Sequence, residues 1–202
     1  VIITICTKPE LREFINNNNI IVDENDREWN SKTFAKRIAI SKAINKQKLK
    51  KIFTFHNTVN GAKAFTESPV YGIKSVYEGM NFRDNSKFES FHVNGKMNSG
   101  MRDGIMNEFI GSEIGIMSNA RCLVEGVDVP IVNAIGFIDP KRSLIDIVQA
   151  TGRALRKAQW KDKGYVFLPV FLEDADNADE AIERTEFNDI CNNNNFSHLA
   201  YN

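Results

Sequence analysis

Short apolar blocks alternate along this chain with segments whose apolar residues recur every third or fourth position. That alternation predicts strands and helices in turn. Residues 1–5 read as a strand and 8–15 as a short helix. The segment 33–49 reads as an amphipathic helix, with Phe34, Ile38, Ala39, Ile44 and Leu49 near one stripe. A compact strand follows at 52–56, then a helix at 58–67 that Thr58 is suited to cap. The stretch 68–87 carries Pro69, Gly72 and Gly79 and reads as a loop, with a short strand at 73–77. Beyond it come a strand at 88–93, a helix at 99–110 and a strand at 113–117, which ends at polar Ser118 and Asn119. A short helix is expected up to Glu125, a strand at 131–138, a helix at 143–157 and a last strand at 165–170. An acidic segment then occupies 173–180. The asparagine runs at 16–19 and 192–195 read as polar spacers, because such runs favour turns and bury nothing.

Strands and helices joined by short connections imply a mostly parallel sheet covered on both faces, an α/β fold. In such sheets ligands gather at the C-terminal ends of the strands. The distinctive motifs sit there, after the strands at 52–56, 88–93, 113–117 and 131–138.

Composition narrows the picture. The 202 residues suffice for one substantial α/β domain with a segment to spare. Lys plus Arg equals Asp plus Glu at 26 each, so the chain lacks the basic excess of a free-standing nucleic-acid binder. Contact with nucleic acid must come from a local patch or from backbone amides. Cys6, Cys122 and Cys191 have neither metal-ligand spacing nor a disulfide framework, which fits a reducing cytoplasm; no metal site is expected. No apolar run is long enough for a membrane span, so no membrane partner is expected. The opening residues read as a strand rather than a signal peptide, and a start at Val1 suggests a piece of a longer protein.

Four motifs carry candidate chemistry. His56-Asn57-Thr58 lies where a strand enters a helix, and amides at a helix start can hold a phosphate; an ordinary capped junction is the alternative. His92-Val93-Asn94-Gly95 ends a strand, with Arg102 following on the next helix. Gly95 can admit close backbone approach or simply make a turn, and His92 reads as a strand-end polar residue. Ser118-Asn119-Ala120-Arg121 leads to Gly126-Val127-Asp128-Val129-Pro130, where Asp128 can accept from a ribose hydroxyl, orient an arginine or cap a turn. Nineteen residues on, Gln149, Gly152, Arg153 and Arg156 share a helix, with Arg153 and Arg156 on one face. Gly152 inside that helix costs about 1 kcal/mol relative to Ala, which suggests close packing or ligand access. Two arginines so placed suit a phosphate whose charge spreads during transfer, while a solvated basic face is the plain alternative.

Taken in order, these motifs resemble the second RecA-like lobe of superfamily 2 helicases, in the DEAD/DEAH-box variant of restriction-type and related bacterial or phage DNA helicases. The resemblance covers about residues 36–172. It implies a RecA-like lobe at 36–172, an N-terminal segment at 1–35 joining it to a first lobe, and an acidic, Asn-rich extension at 173–202. It implies that His56, Asn57 and Thr58 face a nucleic-acid backbone, along with Gly95, Ser118, Asn119 and Arg121. It places Gly126, Asp128 and Gly152 near a nucleotide, with Arg156 as arginine finger, Arg153 as a second phosphate or inter-lobe contact, and Gln149 positioning the nucleotide or attacking water. Two positions depart from the family pattern: Ala120 stands where many relatives have Thr, and Ala150 where an Arg often follows Gln149.

No G-x-x-x-x-G-K-[ST] cradle occurs in the chain. The run Ile20-Ile21-Val22-Asp23-Glu24-Asn25-Asp26 mimics a Mg²⁺-binding acidic motif, but only nineteen residues precede it, so it reads as a strand-to-loop exit. The expectation is therefore the C-terminal motor lobe of an ATP-dependent DNA helicase or translocase. ATP and Mg²⁺ would be held mainly by a first RecA-like lobe, and RNA or restriction-modification subunits are further possible partners. A docking module that powers nothing is the rival. A nuclease fits less well, for want of a clustered set of acids and lysine.

Overall fold

The computed structural model describes residues 2–6, 17, 20–22, 28–69, 71–82, 86–120, 131–139, 152, 163–172 and 198–201. Strands β1 (Ile2–Cys6), β4 (Lys51–Phe55), β5 (Phe88–Asn94), β6 (Ile114–Ala120), β7 (Ala134–Phe137), β8 (Tyr165–Leu172) and β9 (His198–Tyr201) form one seven-stranded sheet in the order β5-β6-β4-β7-β8-β1-β9. Every pairing in it is parallel. β2 (Ile20–Val22) and β3 (Glu28–Asn30) make a separate antiparallel pair. Thus β1 and β9, from the segments expected to flank the lobe, pair within its sheet, and β9 had no counterpart in the sequence reading.

Helix α1 (Ser31–Gln47) begins earlier than 33 because Asn30 caps it, its side chain accepting from Thr33 N at 3.2 Å. It ends at Lys48 in the left-handed region, φ 52°, with Leu49 N donating to Ile44 O at 3.0 Å. The buried set is Ala35, Ile40, Ala43 and Ile44 with Ser31, Arg37 and Ser41, while Phe34, Ile38 and Ala39 are only half-buried. The helix turns a broader, partly polar face inward than its apolar residues alone suggest. Arg37 is accommodated there by donating to Ala64 O at 3.0 Å and lying over the Phe65 ring.

Helix α2 (Val59–Thr66) matches the expected segment, and Thr58 caps it by accepting from Gly61 N at 3.0 Å. Where a short strand was expected at 73–77, the chain forms helix α3 (Ile73–Gly79). Ile73, Val76 and Tyr77 are its buried residues, an i, i+3, i+4 set that only a helix brings to one side. Gly72 makes the entry possible, since a Cβ there would press into the Ser68 carbonyl oxygen.

The two sheet faces differ. On one, Ile52, Phe88, Ile114 and Ile116 join Ile40, Ile44, Leu49, Phe65, Ile73 and Tyr77 in the main core, under α1–α3. On the other, helix α4 (Ser99–Gly111) is anchored by Phe109, its one buried side chain, which packs 5.2 Å from Phe53 and 6.0 Å from Phe91. β6 runs on through Ser118 and Asn119 to Ala120, three residues beyond its expected end, and is buried throughout. The predicted elements at 8–15 and 143–157, apart from Gly152, and the acidic and asparagine-rich segments lie outside the described residues. Among the described residues no helix is long and apolar enough to cross a membrane.

Candidate functional site

Along the face under α1–α3, three neighbouring strands change character toward their C-terminal ends. β4 passes from Ile52 to Thr54 and then His56, β5 from Phe88 through Ser90 to His92 and Asn94, and β6 from Ile116 to Ser118. Strand register sets Thr54 beside Ser118 and Ser118 beside His92. A layer of buried polar groups therefore lies just beneath the edge where the motifs emerge.

These groups form a hydrogen-bonded chain whose direction is fixed at both ends. Lys96 N–H donates to Asn94 Oδ1 at 2.9 Å, which turns the Asn94 amide nitrogen toward His92 Nε2 at 3.1 Å. An amide nitrogen only donates, so Nε2 accepts and the imidazole carries its proton on Nδ1. Nδ1 then donates to Ser118 Oγ at 3.0 Å. At the far end Thr66 Oγ1 donates to Ala62 O at 3.1 Å, leaving it to accept from the Ser118 hydroxyl at 3.1 Å. The Phe91 carbonyl, 3.3 Å away, is a longer alternative for Ser118. The chain links the turn after β5 to helix α2 and requires a neutral His92. Burial, the largest cause, lowers the His92 pKa, Lys63 adds to this and Glu67 opposes it.

His56 closes the next strand. Its amide donates to Asn119 O at 2.9 Å, Nε2 lies 3.2 Å from Thr54 Oγ1, and the ring packs on Phe65 at 5.0 Å. Burial lowers its pKa to about 4. Asp139 pulls the other way, while Arg37, His92 and Lys36 add to the lowering. The sheet thus brings His56 within electrostatic reach of His92, 36 positions away in sequence.

The candidate residues divide by exposure. Asn57, Thr58 and Gly95 are exposed, whereas His56, Ser118 and Asn119 are buried, at 4%, 0% and 1% exposure. Ser118, expected near a phosphate, offers no surface and instead fixes His92. His56 and Asn119 likewise hold β4 and β6 together behind the exposed loop. Of the two readings of this helix start, an anion cradle or an ordinary capped junction, the hydrogen bonds match the capped junction. Asn57 N is taken by Asp139 Oδ2 at 2.9 Å, and Gly61 N by Thr58. Asp139 was not foreseen, although the Asp139-Pro140 pair directly after β7 is a turn signal that could have drawn notice. Lys36 reaches the same corner, donating to Ile138 O at 3.2 Å.

Gly126, Asp128, Arg121, Gln149, Arg153 and Arg156 lie outside the described residues. Gly152 is helical and exposed, and a Cβ built on it meets no described atom within 4 Å.

Comparison with known proteins agrees with this geometry. The chain is 42% identical over 64 residues to a probable helicase of African swine fever virus, an alignment covering 31% of this chain and 8% of the viral protein. Its fold superposes on an ATP-dependent type ISP restriction-modification enzyme, LlaBIII, bound to DNA, with a TM-score of 0.67 and 23% identity over 85% of this chain and 12% of that one. It also superposes on domain 2 of the DEAD-box helicase Mss116p bound to an RNA duplex, with a TM-score of 0.56 and 18% identity over 100% of this chain and 63% of that one. The profile of the helicase conserved C-terminal domain matches residues 35–158, more than half of the chain. The chain therefore belongs to the helicase conserved C-terminal domain family.

Proposed function

We propose that this chain is the C-terminal motor lobe of an ATP-dependent DNA helicase or translocase. The supporting observation is the family match over 35–158, which takes in both the Gly126–Asp128 turn and the Gln149–Arg156 segment. Because the chain spans only 8% of the viral relative and 12% of the restriction enzyme, the motor belongs to a longer polypeptide whose first RecA-like lobe holds ATP and Mg²⁺. Bound there, ATP would supply the phosphoryl group that passes to water, and Mg²⁺ would offset the charge on its phosphates.

This lobe's own residues then have distinct tasks. Arg156 places its guanidinium on the terminal phosphate, a contribution of roughly 10³–10⁵ in rate for a finger of this kind. Arg153 makes the second phosphate or inter-lobe contact, and Gln149 orients the nucleotide or the water. Gly126, Asp128 and Gly152 line the nucleotide's side of the cleft. Asn57, Thr58, Gly95 and Arg121 face the strand, and His56, Ser118 and Asn119 act behind them as positioning residues. The restriction enzyme's DNA favours a DNA track, and an RNA track is the variant that the Mss116p likeness raises. The setting we assign is the cytoplasm, with restriction-modification subunits as candidate companions.

The test is made in the parent polypeptide. Arg156→Ala removes nucleic-acid-stimulated hydrolysis while nucleotide binding persists. Retained turnover would transfer the finger role to Arg153 or elsewhere. The 202-residue chain alone hydrolyses no ATP, with or without a DNA strand. Strand-stimulated hydrolysis by it would overturn the division of labour between lobes.

A further inference from the structure

The opposite edge of the sheet, where the strands begin, carries a second charged feature. A hollow of about 910 Å³ opens there among the starts of β4, β6, β7 and β8. Among the described residues, Lys48, Lys50, Lys51 and Lys163 line it with one carboxylate, Glu113, over an apolar floor of Leu49, Ile110, Ile131 and Tyr165. Glu113 is occupied, accepting from Lys87 N at 2.7 Å. The chain as a whole is neutral, so this is a local concentration of positive charge.

Lys51 makes the hollow more than a set of surface lysines. Only 4% of it is exposed, and its ammonium donates to Ser112 O and, at 2.9 Å, to Ser112 Oγ, above the Phe109 ring. An ammonium has three donors, and among the described residues Ser112 takes two of them. Among the described residues no carboxylate lies within ion-pair distance of it. Glu89 pulls on it only from afar, its own oxygen being 2.6 Å from Lys87 Nζ. A buried cation without a counter-ion is costly, and an anion entering the hollow offsets that cost. The floor is rigid. Asn133 accepts from Lys51 N through Oδ1 at 3.1 Å and donates to Lys51 O at 3.0 Å, and its carbonyl accepts from Tyr165 N at 3.0 Å. Three strand starts are pinned by that one residue.

We infer that this hollow is a second nucleic-acid site, in which Lys48, Lys50, Lys51 and Lys163 hold the phosphate backbone of a strand independently of its sequence. Lysines act on phosphates as point charges and read no base, and half-exposed Tyr165 and Ile110 offer apolar surface for one. An acidic protein segment would satisfy the lysines equally. The nucleic acid is favoured because the proposed motor already holds a strand at the other edge, and the inference rests on that reading for the class of polyanion only. Seven-residue β6 separates the edges by roughly 20 Å, more than twice the screening length of about 8 Å at physiological salt. The two edges therefore behave as electrostatically separate sites.

The experiment measures binding of fluorescein-labelled dT20 by anisotropy from 50 to 200 mM salt, for the 202-residue chain and for K48Q/K50Q/K163Q. Losing three phosphate contacts to a single strand reduces the slope of log K against log salt by about 2. Over this range the parent's affinity accordingly falls about 20-fold more than the variant's. The three side chains are exposed, so folding is preserved, and K48R/K50R/K163R retains the parent slope. Identical slopes in parent and glutamine variant, or no dT20 binding at 50 mM, would overturn the inference. If the glutamine variant keeps dT20 but loses poly-glutamate, the occupant is an acidic protein segment instead. The motor reading stands or falls separately, on Arg156→Ala turnover.

Discussion

Replacing His56 by glutamine isolates the electrostatic cost of the polar layer. In the folded chain His56 is 4% exposed and its pKa is lowered to about 4, against an ordinary value of 6.5. The unfolded chain therefore binds the extra proton between pH 6.5 and 4, and folding stability falls as the pH drops through that window. At pH 5 the unfolded imidazole is almost fully protonated and the folded one almost fully neutral. The native state thus loses about 2 kcal/mol relative to pH 7.5 through this one side chain. Glutamine retains a polar tip for Thr54 Oγ1 and does not titrate. Urea unfolding at pH 7.5 and pH 5 reads the difference, and with a slope near 2 kcal/mol per molar the midpoints separate by about 1 M. The parent's acid-induced loss exceeds that of H56Q by this amount, with His92 contributing a loss of the same sign in both. Equal losses in the two proteins would refute the assignment of a buried, neutral His56.

Four further substitutions, one of them an exposed control, test the packing that supports the site. Ser118→Ala leaves His92 Nδ1–H without its acceptor and Thr66 without its donor, at about 1–3 kcal/mol; a urea-midpoint change equivalent to under 0.5 kcal/mol would show that the hydrogen-bonded chain is not intact. Gly115→Ala places a Cβ 2.5 Å from Ser112 Oγ and 2.9 Å from Phe109 Cδ2. Because that hydroxyl is held by Phe109 O and Lys51, it cannot swing aside, and thermal unfolding registers a loss of about 1–3 kcal/mol. Phe109→Ala removes the only buried side chain of α4 and costs about 3–5 kcal/mol, read by the same measurement, whereas Met101→Ala, at 54% exposure, is close to neutral.

Several elements were legible because local chemistry and tertiary demand agree. Thr58 caps α2 as its position before an apolar-periodic segment suggests, and the strand starts and ends near 52–56 and 88–93 fall within a residue of expectation. Where they disagree, the sequence misleads. Ile73, Val76 and Tyr77 are β-branched or aromatic and suit a strand, yet their spacing also suits a helix, and the core offered by Tyr77 stacking on Phe88 at 4.2 Å selects the helix. Ser118 and Asn119 look like a strand terminus because polar residues commonly end strands. Partners from β5 and α2, invisible in a linear reading, satisfy Ser118 and allow β6 to continue through both residues.

By itself the sequence determined the alternation of strands and helices and the parallel sheet, because period and turn chemistry are local properties, while its ordered motifs carried the resemblance to the family. It also contained the polar residues at alternate positions of β4, β5 and β6, but not their meaning. Only the tertiary structure decided that His92, Ser118 and Thr66 form one directed chain, that Asp139 occupies the Asn57 amide, and that distant Lys163 joins Lys48, Lys50 and Lys51 around one hollow. The physical reason is that burial and partner geometry depend on strand register and order, which join residues dozens of positions apart. A side chain's protonation state and its availability to a ligand follow from those neighbours rather than from its place in the chain.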